Sequence, residues 1–383
     1  MPEADATPGA ISTLAAPALQ FDEGTEAPFE TGRTAMEGMS VVESIAIAEA
    51  TAAGGRLRSA GPEPLYAAVD LGTNNCRLLI ARAATGGFQV VDAFSRIVRL
   101  GEGVGATGRL QPEAIQRTLS ALRICAAKIR RQNVILSRAV ATEACRQAGN
   151  FPAFRDRVRR ETGLQLEMIP AAEEARLAAA GCAPLLDRSI PHAIIFDIGG
   201  GSTELTWLEI DADGQAVTLD ALSMPLGVVS LAELHGGHEV SAETYAAMTA
   251  ATAAALADFE ARNNLRGLIA QGRVQMIGSS GTVTTLAGVH LGLPRYIRSE
   301  VDGCTLSFEE ARRASRMLLG LDYAARSSYP CIGRDRADLV LAGCAILEAI
   351  CDTWPVGKLR VGDRGVREGI LFDLLAAAQS CPA

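Results

Sequence analysis

Val69-Asp70-Leu71-Gly72-Thr73-Asn74 decides the fold, because its plan returns 127 residues later as Phe196-Asp197-Ile198-Gly199-Gly200-Gly201-Ser202-Thr203. Each copy closes an apolar run, Tyr66–Asp70 or Ala193–Asp197, and a second run follows it, Arg77–Arg82 or Glu204–Ile210. Both therefore read as strand, polar turn, strand. A strand that ends in Asp sets a carboxylate at the carboxyl edge of a sheet, where open α/β sheets take their ligands. The glycines let the backbone come close to such a ligand and turn several N–H groups toward it. A nest of this kind holds phosphate oxygens. One such loop alone is equally an ordinary tight turn. Two matched loops favour phosphate binding, and a third, Gly278-Ser279-Ser280-Gly281-Thr282, follows the strand Val274–Gly278. The repeat predicts an α/β protein of two similar lobes facing each other across a ligand cleft. An Asp beside bound phosphate repels it unless a cation intervenes, so the pair implies Mg²⁺ or a similar hard ion such as Mn²⁺.

Working outward, the spacing predicts helices over Glu113–Arg131, Glu143–Gln147, Pro152–Thr162 and Ala172–Ala180, with strands at Gly87–Ala93, Val134–Val140 and Leu164–Met168. Beyond the second loop it predicts a strand at Ala216–Met224 and helices over Ala242–Arg262, Leu306–Leu319, Arg336–Cys351 and Arg364–Ala378. Residues 1–64 lack periodicity and are rich in Ala, Glu, Pro, Thr and Gly, which reads as a disordered tail. Within it, Met39–Ala53 has the makings of a short helix. The lobes are then 65–177 and 178–383, the last helix being a candidate to pack back on the first lobe.

Charge is placed unevenly. The formal net charge is −8, but residues 1–64 hold ten acids and three arginines, so the body is close to neutral. An acidic chain is a poor default candidate for nucleic-acid binding, which wants basic stripes. The chain has only two lysines, Lys128 and Lys358, and neither stands in a G-K-[ST] sequence, which excludes a Walker-type nucleotide site. Nine cysteines without a C-x-x-C pair read as reduced thiols in a cytoplasmic protein. No apolar run is long enough to span a membrane, and the acidic N-terminus is unlike a signal peptide.

Several further segments carry a family likeness. Asp70-Leu71-Gly72-Thr73-Asn74-Asn75-Cys76-Arg77-Leu78, Ala141-Thr142-Glu143-Ala144-Cys145-Arg146, Glu173-Glu174-Ala175-Arg176-Leu177 and Asp197 through Leu205 occur in that order. Pro225 through Ser230, Gly281-Thr282 and Val361 through Gly369 extend the pattern. Together they resemble the exopolyphosphatase / guanosine pentaphosphate phosphohydrolase (Ppx/GppA) family of the actin-like superfamily, over about residues 66–377. The resemblance implies two actin-like (ribonuclease H-like) lobes that hydrolyse a terminal phosphoanhydride. The substrate is the end of inorganic polyphosphate or, alternatively, the 5′ γ-phosphate of pppGpp.

The resemblance also implies roles. Glu174 matches the general base that polarises the attacking water. Read without the family, Glu173 and Glu174 are an acidic pair favoured at a helix N-terminus. Asp70, Asp197 and Glu204 match the residues that hold the metal, directly or through water. Arg146 matches an arginine that contacts phosphate; a solvated surface charge is the plainer reading. Gly72, Thr73, Asn74, Asn75, Arg77, Gly199, Gly200, Gly201, Ser202, Thr203, Ser280, Gly281 and Thr282 are the expected phosphate contacts. Family members often form dimers, so the resemblance admits a homodimer.

The chain departs from the common pattern in three places. Thr73 and Asn75 replace serines in the first loop, and Ala172 replaces a polar residue before the glutamate pair. These bear on rate more than on reaction class. Longer members carry an HD-type C-terminal domain, for which this sequence shows no counterpart.

Other motifs are set aside. Gly103-x-Gly105-x-x-Gly108 precedes a helix but lies outside a βαβ unit opening the fold, which a dinucleotide site requires. Cys76-x₅-Arg82 and Cys125-x₅-Arg131 imitate a cysteine-phosphatase spacing, but the first is expected on a strand and the second on a helix, without an anion cradle. His235 and His238 have no third ligand in view. An actin-superfamily kinase uses the same loops but needs an acceptor pocket. A non-catalytic sensor of (p)ppGpp or polyphosphate needs no base.

Overall fold

The computed structural model describes residues 63–380. The expected tail, with its helix at Met39–Ala53, lies outside them apart from Glu63 and Pro64.

In chain order the elements are β1 Leu65–Leu71, β2 Asn75–Ala84, β3 Gly87–Ile97, α1 Val104–Thr107, α2 Pro112–Arg131, β4 Leu136–Ala141, α3 Glu143–Gln147, α4 Phe151–Thr162, β5 Leu166–Met168 and α5 Ala171–Cys182. There follow β6 His192–Ile198, β7 Thr203–Ile210, β8 Ala216–Met224, α6 Val228–His235, α7 Ala242–Asn263, α8 Leu265–Ala270, β9 Val274–Ser279, α9 Gly281–His290 and α10 Arg298–Val301. The last are β10 Thr305–Ser307, α11 Phe308–Leu319, α12 Tyr323–Ser328, α13 Val340–Thr353, β11 Lys358–Gly362 and α14 Val366–Ser380.

The repeat seen in the sequence is a repeat of topology. One sheet has the order β3-β2-β1-β4-β5 and the other β8-β7-β6-β9-β11, with β10 added at its edge. In each, the central strand comes first, opens two successive hairpins and pairs in parallel with the strand that follows them, β1 with β4 and β6 with β9. The hairpin registers set the polar pairs of the site. Asp70 lies opposite Arg77, and Asp197 lies opposite Glu204. Side chains directly opposite in an antiparallel pair share a face.

Each lobe has its own core. Val69, Leu78, Leu119 and Leu122 are among the buried residues of the first, and Phe196, Phe259, Ile346 and Trp354 among those of the second. Helix α14 buries Val366, Ile370, Leu371, Leu374 and Leu375 against Tyr66, Ala68, Leu79 and Val140 of the first sheet. It crosses α5 closely: a methyl group at Gly369 would lie 2.1 Å from the Leu177 carbonyl oxygen, and one at Gly181 would lie 2.1 Å from that of Gly365.

The structure corrects two helix boundaries. Leu306 and Ser307 belong to the edge strand β10, and α11 begins at Phe308, where Ser307 and Glu310 form a reciprocal cap. Helix α13 begins at Val340, four residues after the expected start. No helix among the described residues is long and apolar enough to cross a membrane.

Candidate active site

The two Asp-Gly loops meet at the bottom of the cleft. A methyl group at Gly200 would lie 2.9 Å from Thr73 Cβ, and one at Gly201 would lie 2.7 Å from Thr73 Oγ1. Glycine is required there because the opposite loop occupies the space a side chain needs. The cavity between the loops, about 120 Å³, is lined by Asp70, Gly72, Thr73, Asn74, Asn75, Arg77, Thr142, Glu174, Asp197, Gly199, Gly200, Gly201, Ser202, Ser280, Gly281, Thr282 and Arg336. Three loops that the sequence spreads over more than 200 residues thus line one cavity.

Two expected contacts differ. Thr203 does not line the cavity; it is fully buried and its hydroxyl donates to the Leu226 carbonyl at 2.7 Å. At the first position of β7 its side chain turns into the lobe. Arg146 stands behind Glu174, with its guanidinium taken up by carboxylates. Its Nη1 donates to Glu174 Oε2 at 2.7 Å and to the Ile169 carbonyl at 3.1 Å. Its Nε donates to Glu143 Oε2 at 2.8 Å.

Neighbouring glutamates on α5 part company. Glu173 turns outward and accepts from Arg176 at 2.7 Å and from Arg138 at 3.0 Å. Burial works against its charge, yet these two arginines hold its carboxyl below the usual range. Glu174, whose side chain is 12% exposed, turns inward. Its carboxyl is pushed well above the usual range, first by burial and then by Glu204, with Arg146 opposing.

The other carboxylates shift the same way. Burial raises Asp70, while Arg77 opposes the shift. Burial, against Arg77 and with added repulsion from Asp70, raises Asp197 to about 6. Burial raises Glu204 to about 7 despite hydrogen bonds from Ser202 at 2.6 Å and Ser223 at 2.9 Å. Burial and mutual repulsion disfavour several negative charges in one dry site, and a bound cation reverses that preference.

The residues fit a hard divalent ion. Asp70 and Asp197 flank the cavity, and the side-chain oxygens of Asn74 and Asn75 are buried without a hydrogen-bond partner. Among the described residues no three His, Cys, Asp or Glu side chains form a cage by themselves. That suits Mg²⁺, which binds through one or two carboxylates and completes its shell with water and phosphate oxygens. Glu204 lies opposite Asp197 on β7, outside the cavity lining.

A second chamber, about 540 Å³, shares Asp70, Arg77, Asp197, Ser280, Gly281 and Arg336 with the first and adds Arg298, Arg334, Arg364 and Arg367. Arg298 pairs with Asp363 at 3.2 Å and Arg364 with Asp302 at 3.0 Å. Burial and the nearby Arg77 push the Arg336 guanidinium below its ordinary value. Arg77 and Arg336 are thus two cations brought together at the cleft wall.

Sequence reasoning gave no role to Glu143, Glu368 or Arg336. Glu143 and Glu368 lie within segments that carried the family likeness, and Glu368 accepts from the Gly365 amide at 3.0 Å at the start of α14. Arg336 lies in a polar loop with no signal of its own. The two cysteines of the set-aside motifs fall in the core of the first lobe. Cys76 and Cys125 are buried side by side, Sγ to Sγ 4.0 Å, on a strand and a helix.

Comparison with known proteins agrees with this geometry. The chain is 29% identical over 323 residues to exopolyphosphatase 2 of Mycobacterium tuberculosis, covering 80% of this chain and 98% of that protein. It is 28% identical over 320 residues to the guanosine-5′-triphosphate,3′-diphosphate pyrophosphatase of Aeromonas salmonicida, covering 84% of this chain and 61% of that longer protein. The Aquifex aeolicus PPX-GPPA enzyme matches with a TM-score of 0.67 and 29% identity, over 81% of this chain and 99% of that one. The Ppx/GppA phosphatase family model spans residues 79–378. With its paired Asp-Gly loops, its inward glutamate and its actin-like two-lobe fold, the chain belongs to the Ppx/GppA phosphatase family.

Proposed function

We propose that this chain hydrolyses terminal phosphoanhydride bonds and releases orthophosphate from the end of inorganic polyphosphate. The observation that carries the reading is the inward Glu174, fixed by Arg146 on the wall of a cavity that both Asp-Gly loops line.

The terminal phosphoryl group sits between the loops, where backbone amides and the hydroxyls of Thr73, Ser280 and Thr282 meet its oxygens. Glu174 accepts a proton from water as the water oxygen bonds to phosphorus. The bridging P–O bond breaks, and the shortened chain leaves with the electron pair. Phosphoryl transfer passes through a loose transition state, so positioning and charge stabilisation supply most of the rate. Arg77 and Arg336 face the anion. Asp70 and Asp197, with Glu204 behind, would hold a divalent ion, which would offset charge on the phosphate oxygens.

The second reading is conversion of pppGpp to ppGpp. The half-exposed Tyr296 on the wall of the second chamber supports it, because an aromatic face there can stack a guanine. Phosphate release from polyphosphate and from pppGpp, measured side by side with Mg²⁺, separates the two by kcat/KM. Release to water with no acceptor argues against a kinase. Absence of release from both substrates sinks the hydrolase reading. The eight described cysteines are all free, which supports a reducing compartment such as the cytoplasm.

A further inference from the structure

Away from the loops, the lobes are joined by an ionic clasp. Arg99 follows β3 in the first lobe. Its Nη1 donates to Asp338 Oδ2 at 2.7 Å and its Nη2 to Asp338 Oδ1 at 3.0 Å, across to the second lobe. Nη2 also reaches the Asp335 carbonyl at 3.2 Å. Beside it, the Gly103 amide donates to Glu233 Oε1 on α6 at 2.9 Å. The Asp338 side chain is only 13% exposed, so the pair is drier than a surface ion pair. A bidentate arginine–carboxylate contact fixes orientation as well as distance. Arg99 holds it from a positive φ of 46°, a backbone conformation that non-glycine residues seldom adopt.

The same segment carries the first phosphate loop. The Val98 and Arg99 amides both donate to the Asn74 carbonyl, at 2.8 and 3.0 Å, and the Gly101 amide donates to that of Thr73 at 2.9 Å. Thr73 and Asn74 are the residues that touch Gly200 of the opposite loop. On the other side, Leu339 follows Asp338 directly and lines the cleft. The clasp is therefore one step from the phosphate cavity in both lobes.

We propose that Arg99 is a positioning residue for the hydrolysis proposed above, on which this inference rests. Its clasp with Asp338 holds the lobes in the closed arrangement that brings the two phosphate loops together. A phosphate gripped by both loops binds only the closed form, so apparent affinity falls with the fraction of molecules closed.

The test is charge reversal with rescue. Arg99→Glu and Asp338→Arg, made singly, are each expected to raise KM by about 10-fold with kcat changed less than about 3-fold, because closure scales apparent affinity. The double reversal is expected to return KM to within about 3-fold of the parent, as a reformed pair does. A merely structural role lowers kcat through lost active protein and leaves KM unmoved. Small-angle scattering reads closure without activity: each single variant is expected to expand and the double variant to contract again. If either reversal fails to fold, Arg99→Gln and Asp338→Asn give the same readouts at smaller amplitude. Single variants with the parent's KM and dimensions overturn the proposal, as does a double variant no better than the singles. If the parent itself releases no phosphate, the hydrolase reading fails, while the scattering series still decides the clasp.

Discussion

Arg146 holds Glu174 at 2.7 Å with one edge of its guanidinium and is itself held by Glu143 with the other. Glu174 is thereby fixed through Oε2, leaving Oε1 to meet a water molecule. Arg146 has few donors left, so in the proposed mechanism its first role is to orient Glu174.

Glu174→Gln is expected to lower kcat by about 10³-fold, within the range for loss of a general base, while substrate binding persists. Phosphate release and equilibrium binding to the same preparation check this. Unchanged turnover would remove Glu174 from the mechanism.

Glu143→Gln keeps an oxygen for Arg146 but loses the charge. The guanidinium then leans on Glu174 alone, and kcat is expected to fall by about 10-fold, the effect of one disturbed charge-assisted bond at about 1.4 kcal/mol. With Arg146 already replaced by Ala, the same change is expected to cost less than about 2-fold, because coupled residues are not additive. Equal losses in both backgrounds would show that Glu143 acts elsewhere.

In the proposed site a divalent ion offsets the repulsion among the carboxylates, and a chelator exposes it. Asp197 and Glu204 titrate near 6 and 7 in the folded chain, above their ordinary values. A carboxyl raised on folding stabilises the fold while it is protonated, and that contribution is lost as pH rises through the folded value. The chelated protein is therefore expected to melt a few degrees lower at pH 8 than at pH 5. Mg²⁺ should restore more at pH 8. Thermal melts at both pH values, with chelator and with Mg²⁺, test this; a chelated Tm that rises from pH 5 to 8 contradicts it. Phosphate release should stop with the chelator and return with Mg²⁺.

Gly369→Ala places a methyl group against the Leu177 carbonyl where α14 crosses α5. Neither backbone can yield cheaply, and a loss of about 1–3 kcal/mol is expected, as for overpacking elsewhere. Chemical denaturation measures it. An unchanged midpoint would show that the crossing is loose.

The parts of this site that were legible in the sequence have strong local signals. Asp70 and Asp197 each stand one residue before the end of a strand and two before a glycine, and that order recurs 127 residues apart. Arg336 was illegible because it stands in a polar loop and acquires meaning only when the fold sets it near Arg77. The short helices α6, α8, α10 and α12 were missed because so few turns show no clear periodicity. Thr203 misled because it continues the loop in sequence, while the pleat of β7 turns it into the core. Glu174 was separable from Glu173 only through the family likeness; in space, Arg138 and Arg146 on opposite sides of α5 make the distinction.

The return of α14 to the first sheet has a consequence for synthesis. Tyr66, Ala68 and Leu79 are covered by side chains from Val366 to Leu375. The lobe that leaves the ribosome first is therefore the one finished last. Until those residues emerge, its sheet carries a bare apolar face, the kind of surface that chaperones take up and that drives aggregation. A fragment ending at Cys182 keeps that face uncovered permanently, so the first half of the molecule is not an independent unit of expression.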